Sequence, residues 1–106
     1  MGIFDLLKQP DINRGVQAHR ETPGAILLDV RTPQEYREGH IPGSQNVPIQ
    51  ELDKVDTVAD NMDTVLYVYC RSGARSRQAV SMLKQMGYVN VHNIGGIATY
   101  SGKVER

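Results

Sequence analysis

YVYCRSGARSRQA, residues 67–79, joins the two local patterns that decide the fold. Upstream, TVLYVYC (64–70) is apolar and rich in Val and Tyr, the composition of a strand. Downstream, from Arg75, the period becomes helical. Ala79, Val80, Leu83 and Met86 share one face, Arg77, Lys84 and Gln85 lie elsewhere, and Gly87 is placed to cap the end. Cys70, the one cysteine of the chain, stands where strand gives way to loop.

Working outward, the same alternation recurs. AILLDV (25–30) is short and almost wholly apolar, as expected of a strand covered on both faces. Thr32, Pro33 and Glu35 then form a helix start with a capping box, and Gly39 is placed to end that helix. HIPGSQNVPI turns through Pro42 and Gly43 into a brief strand at 45–47, and QELDKVDTVADNM (50–62) is weakly helical. VNVHNI (89–94) reads as the last strand, and GGIATYSGK as the opening of a short terminal helix. Before the first strand, residues 3–8 and 12–20 suit short helices separated by Pro10 and Asp11. Strands alternating with helices at this spacing predict an α/β fold with a mainly parallel sheet. In such sheets ligands sit beyond the carboxyl ends of the strands, which is where Cys70 falls.

The loop after Cys70 has the parts of an anion cradle. A helix beginning near Ala74 or Arg75 leaves unbonded amides and a partial positive charge at its N-terminus. The amides from Arg71 to Ser76 can then curl around the sulfur. Gly73 admits backbone angles other residues resist, and Ala74, Ser72 and Ser76 keep the ring small. Arg75 adds a permanent charge and Arg71 projects from the rim. These features favour thiolate over thiol and predict a depressed Cys70 pKa. A lone cysteine at a strand end is in most chains only a small apolar residue. Here the strand, the glycine, the arginines and the following helix all point to a reactive one.

The chain has 106 residues, with 40% hydrophobic and 23% charged, which fits one globular domain over residues 1–106, the first 21 being the least defined. Twelve basic residues balance twelve acidic ones, so nothing attracts nucleic acid or an anionic membrane in general, and anion binding must be local. One thiol makes neither an intrachain disulfide nor a multi-thiolate metal site. With no apolar run of about 20 residues and no signal-peptide pattern, a cytoplasmic protein is expected. His19 and His92 lack nearby ligand partners, His40 reads as a hydrogen-bonded turn residue, Tyr36 as core, and Met82 and Met86 follow helical spacing.

At this point the chain resembles the rhodanese (thiosulfate sulfurtransferase) family, in its small single-domain bacterial form. CRSGARS is similar to the family's active-site loop of cysteine, four residues and arginine. LLDVRTPQEYREGHIPGSQNVP (27–48) resembles its amino-terminal signature at Asp29, Arg31, Glu35, Tyr36, His40, Ile41, Pro42 and Gly43. NIGGIATY (93–100) resembles its carboxyl-terminal signature but departs at Ile97 and Tyr100, where tryptophan is common. The resemblance covers residues 22–102. It implies a three-layer α/β/α fold with a sheet of four or five strands, the first edge strand being absent or replaced by helix.

It also implies sulfur transfer without metal or organic cofactor. Cys70 would take the outer sulfur of thiosulfate or of a persulfide donor and hand it to a thiophilic acceptor. Arg71, Ser72, Gly73, Ala74, Arg75 and Ser76 would bind the substrate, and Asp29 and Arg31 would pair or cap to support the loops. The acceptor is a small molecule or a protein, and in the latter case the chain is a persulfide carrier. Two other readings stand beside it. Phosphatases and arsenate reductases of the same superfamily have five residues between cysteine and arginine, whereas Cys70 and Arg75 enclose four. A non-catalytic binding module would keep the fold, with loss of the cysteine as its usual mark.

Overall fold

The structure, a computed structural model, describes residues 9–106. Helix α1 spans Ile12–Glu21, with Asp11 capping it by accepting from the Asn13 and Arg14 amides. Strand β1 (Ile26–Asp29), helix α2 (Pro33–Glu38) and strand β2 (Ser44–Asn46) follow. A 3-10 segment, Ile49–Thr57, leads to strand β3 (Leu66–Cys70), helix α3 (Ala74–Gln85) and strand β4 (Val91–Gly96). Among the described residues the sheet has four strands in the order β2-β1-β3-β4, all parallel. The expected helix at 3–8 lies outside the described residues.

Period-two alternation splits the core into two layers. Leu28, Val30, Leu66, Val68, Cys70 and Val91 face α3 and the 3-10 segment, meeting Leu52, Val55, Ala79 and Leu83. Leu27, Tyr69 and Ile94 face the other way, against Ile12 and Val16 of α1. The result is the three-layer α/β/α arrangement. Helix α3 ends in the Schellman pattern: Gly87, at φ +111°, donates to Lys84 O, and the Tyr88 amide donates to Leu83 O. Among the described residues no helix is long and apolar enough to cross a membrane.

Three expectations are corrected. The residues from Gly95 do not open a terminal helix. Gly95 and Gly96 pair with Tyr69 and Cys70 and complete β4, and only a 3-10 turn, Ile97–Thr99, follows. A Cβ on Gly96 would stand 2.1 Å from Arg71 O, so this strand end is bare because the loop backbone lies on it. The 50–62 segment is a 3-10 segment ending at Thr57, interrupted at Glu51, rather than a continuous helix. Tyr36 is half-buried at the rim, not core. It stacks on His40 at 3.7 Å and donates to Ser44 O.

Between β1 and β3 the chain direction divides: β1 leads outward to β2, and β3 leads to β4 on the opposite side. Their carboxyl ends therefore open a crevice, which parallel sheets commonly use for ligands. Asp29 and Arg31 stand on one side of it, Cys70 and Arg71 on the other.

Candidate active site

Cys70 is the last residue of β3, and its side chain is 1% exposed beneath the loop it begins. Gly73 takes φ +103°, a left-handed turn that suits glycine, and its amide donates to Cys70 Sγ at 3.0 Å. Helix α3 starts at the next residue, so the four-residue stretch before Arg75 curls around the sulfur.

Burial alone pushes the Cys70 thiol upward, and it is the largest single influence. Hydrogen bonds from the Ser76 hydroxyl, and from the Ser76, Gly73 and Ser72 amides, oppose burial and leave the pKa below its ordinary value. The lowering thus comes chiefly from short-range donors in the loop.

Arg75 sends Nη1 to Glu35 Oε1 at 2.8 Å and Nη2 to Oε2 at 3.0 Å. The two-pronged bond holds Glu35 down at about 2, against burial and with help from the Thr32 amide. Both terminal nitrogens of Arg75 are thereby committed to α2. Arg71 is exposed and borders two clefts that flank the loop. One, about 540 Å³, is lined by Ser72, Gly73, Arg77 and Asn93 among others. The second, about 550 Å³, is lined by Arg31, Glu35, Gly39 and Val104 among others. Cys70 lines neither, since its sulfur lies under the amides rather than in an open pocket. Ser72 and Ala74 are exposed on the loop, and Ser76 is fully buried beneath it.

Asp29 and Arg31 form a buried pair, with Nη2 to Oδ2 at 2.7 Å and Nε within 3.1 Å of both oxygens. Arg31 also donates to Gly39 O at 2.7 Å, tying the end of β1 to the end of α2. His40 Nδ1 donates to Tyr36 O at 2.8 Å.

Two participants escaped the sequence reading. Glu35 was legible as a helix cap, but its partner Arg75 is forty residues away and no spacing links them. Asn93 of β4 accepts from the Ser76 hydroxyl of α3 at 2.7 Å. Its sequence signal is its place two positions before a glycine pair, at the head of NIGGIATY (93–100).

A thiol held under backbone amides at the dividing point of a parallel sheet defines the class: an α/β protein with a cysteine-centred loop. The chain belongs to the rhodanese-like domain family, whose family model matches residues 14–103. It is 37% identical over 71 residues to the thiosulfate sulfurtransferase PspE of Escherichia coli, covering 66% of this chain and 68% of that protein. It is 39% identical over 83 residues to a sulfurtransferase of Allochromatium vinosum, covering 76% of each. Among solved structures it is similar to a rhodanese with anions from E. coli, with a TM-score of 0.72 and 31% identity, covering 77% of this chain and 98% of that one.

Proposed function

We propose that the protein is a sulfurtransferase that carries sulfane sulfur on Cys70. The family and the named relatives support sulfur transfer as the general chemistry. The observation that carries the specific reading is the 3.0 Å bond from the Gly73 amide to Cys70 Sγ, at the centre of a loop that lowers the thiol's pKa. A thiolate is the attacking species in such exchanges, and lowering the pKa raises its share near neutral pH.

In the first half-reaction the Cys70 thiolate attacks the outer sulfur of thiosulfate. The new S–S bond forms as the old one breaks, and sulfite leaves with the bonding pair. The Cys70 persulfide keeps one negative charge, which the amides of Ser72, Gly73 and Ser76 stabilise. In the second half-reaction a thiolate acceptor attacks the outer sulfur and leaves as a persulfide, restoring the Cys70 thiolate. Arg71, open at the rim, meets the departing oxyanion. Arg75 braces the loop through Glu35, and Asp29 with Arg31 fixes the neighbouring strand end. No metal or organic cofactor is required by these steps, and the acceptor is a small thiophile or a protein thiol.

Mass spectrometry after exposure to thiosulfate tests the reading. One extra sulfur on Cys70, discharged by cyanide and absent from folded Cys70→Ser, is expected. Sulfur loading undiminished in Cys70→Ser would refute it, and so would efficient aryl phosphate hydrolysis dependent on Cys70.

A further inference from the structure

Asn93 lies on β4, outside the loop, yet it touches two of the loop residues that control the sulfur. Its Oδ1 accepts from the Ser76 hydroxyl at 2.7 Å and from the Gly95 amide at 3.0 Å. Its Nδ2 donates to Gly73 O at 3.4 Å. Gly73 is the residue whose amide reaches Cys70 Sγ, and Ser76, whose hydroxyl donates to Asn93 Oδ1 and Gly73 O, is among the groups that hold the thiol's pKa down. One side-chain amide therefore grips both neighbours of the reactive atom.

The pairing of β3 with β4 explains how it gets there. Val68 faces Asn93, but Tyr69 faces Gly95, so Ile94 is an extra residue in the ladder. Ordinary alternation in register with Val68 places Asn93 on the α3 side and Ile94 against α1, and the bulge that follows brings Gly95 opposite Tyr69. Gly96 then passes bare beneath Arg71 O, keeping loop and strand in contact.

We propose that Asn93 is a positioning residue for Cys70: its amide divides the single Ser76 proton between itself and the sulfur and holds the Gly73 peptide in its bonding orientation. The proposal rests on Cys70 being the reactive thiol. The Ser76 hydroxyl has one proton and three oxygen acceptors within hydrogen-bond distance, Asn93 Oδ1 at 2.7 Å, Gly73 O at 3.0 Å and Gly95 O at 3.4 Å. When Cys70 is a neutral thiol, the Ser76 hydroxyl donates to Asn93 Oδ1. When Cys70 is a thiolate or persulfide, the hydroxyl turns towards the negative sulfur, and Asn93 keeps its bonds to Gly95 and Gly73. A neutral amide suits this role because it competes for the proton only weakly.

Asn93→Asp tests the idea with nearly unchanged shape. The carboxylate still accepts from Gly95 and Ser76, so the strand end keeps those bonds. It no longer donates to Gly73 O, it draws the Ser76 proton more strongly, and it adds negative charge beside the sulfur. All three changes favour thiol over thiolate. Among the described residues, the charged groups facing the loop are Arg71 itself, Arg75 and Arg77 on α3, Asp29 and Arg31 on β1, and Glu35 on α2. None of them is altered by the substitution.

The measurement is the rate of Cys70 alkylation by iodoacetamide against pH. The Asn93→Asp profile is expected to move up by about one pH unit, making alkylation about tenfold slower below the midpoint. Asn90→Asp adds the same charge at the residue before β4, at the end away from the loop, and its profile is expected to stay in place. A folded Asn93→Asp protein with the wild-type profile would overturn the proposal, as would an equal shift in Asn90→Asp. Should Asn93→Asp not fold, the wild-type chain decides. The NMR signals of the Asn93 side-chain amide are expected to titrate with the alkylation midpoint of Cys70, and flat signals through that midpoint would overturn it. Alkylation reads the thiol alone, so this result is separate from whether Cys70 accepts sulfur from thiosulfate.

Discussion

Glu35 Oε1 accepts from the Thr32 amide at 3.0 Å and from Arg75 Nη1 at 2.8 Å, so one carboxylate both caps α2 and holds the first turn of α3. The cap was legible because Thr32 and Glu35 stand three residues apart in a pattern with a local mechanism. The ion pair was not, because it joins two motifs that only the fold brings together. The pair gives the protein an acid-sensitive contact. Glu35 sits at about 2 when folded and near its ordinary 4.5 when unfolded, so unfolding takes up a proton between those values. Its contribution is therefore present above pH 4.5 and is lost as pH falls through about 2. Glu35→Gln keeps hydrogen-bonding capacity but removes the charge. In denaturant titrations from pH 6 to pH 2, the wild type is expected to lose its advantage over Glu35→Gln progressively. A constant difference between the two across that range would contradict the assignment.

At the scale of elements, β4 is where local sequence misled and the sheet explains why. Consecutive glycines suggest the end of a strand, since they contribute no side chain to pack. In the fold they pair with Tyr69 and Cys70 as strand: Arg71 O lies where a Cβ of Gly96 would stand, and Gly95 takes φ +101°. Gly15 in α1 obeys the same logic. An alanine there would favour an isolated helix by about 1 kcal/mol. Here its Cβ would lie 2.3 Å from the Cβ of Ile94, the buried bulge residue. Overpacking of this kind costs about 1–3 kcal/mol, so the helix preference is offset and Gly15→Ala is expected to destabilise the protein. Sulfur loading per folded molecule should persist, because Ile94 faces away from the loop. Gly96→Ala pushes on loop backbone instead and should impair loading in the molecules that remain folded. Urea melts paired with mass spectrometry separate the two. Equal effects on loading would show that β4 does not discriminate core from site.

At the scale of the whole molecule, the buried Asp29–Arg31 pair holds three elements together. The spacing of an acid and a base at a strand end made a pairing legible, but not the cluster built around it. Asp29 is fully buried and Arg31 is 5% exposed. Arg31 reaches Gly39 O at the end of α2, while Asn46 of β2 donates to the carbonyls of both Asp29 and Arg31. The adjoining Val30 amide bonds Tyr69 O in β3, beside the cysteine. A buried pair need not stabilise more than apolar residues of similar size, because taking both charges out of water is costly. Removing one partner is a different matter, since the other charge stays buried without compensation. Asp29→Asn is expected to cost about 3–5 kcal/mol. That is a large share of the roughly 5–15 kcal/mol that holds a typical domain folded. Asp29→Asn combined with Arg31→Met removes the stranded charge as well and is expected to recover part of the loss, although the bond to Gly39 O is gone. Denaturant midpoints of the three proteins decide the matter. A loss below about 1 kcal/mol in Asp29→Asn, within the range of an exposed ion pair, would mean that water reaches the guanidinium and that the pair does not organise the strand ends.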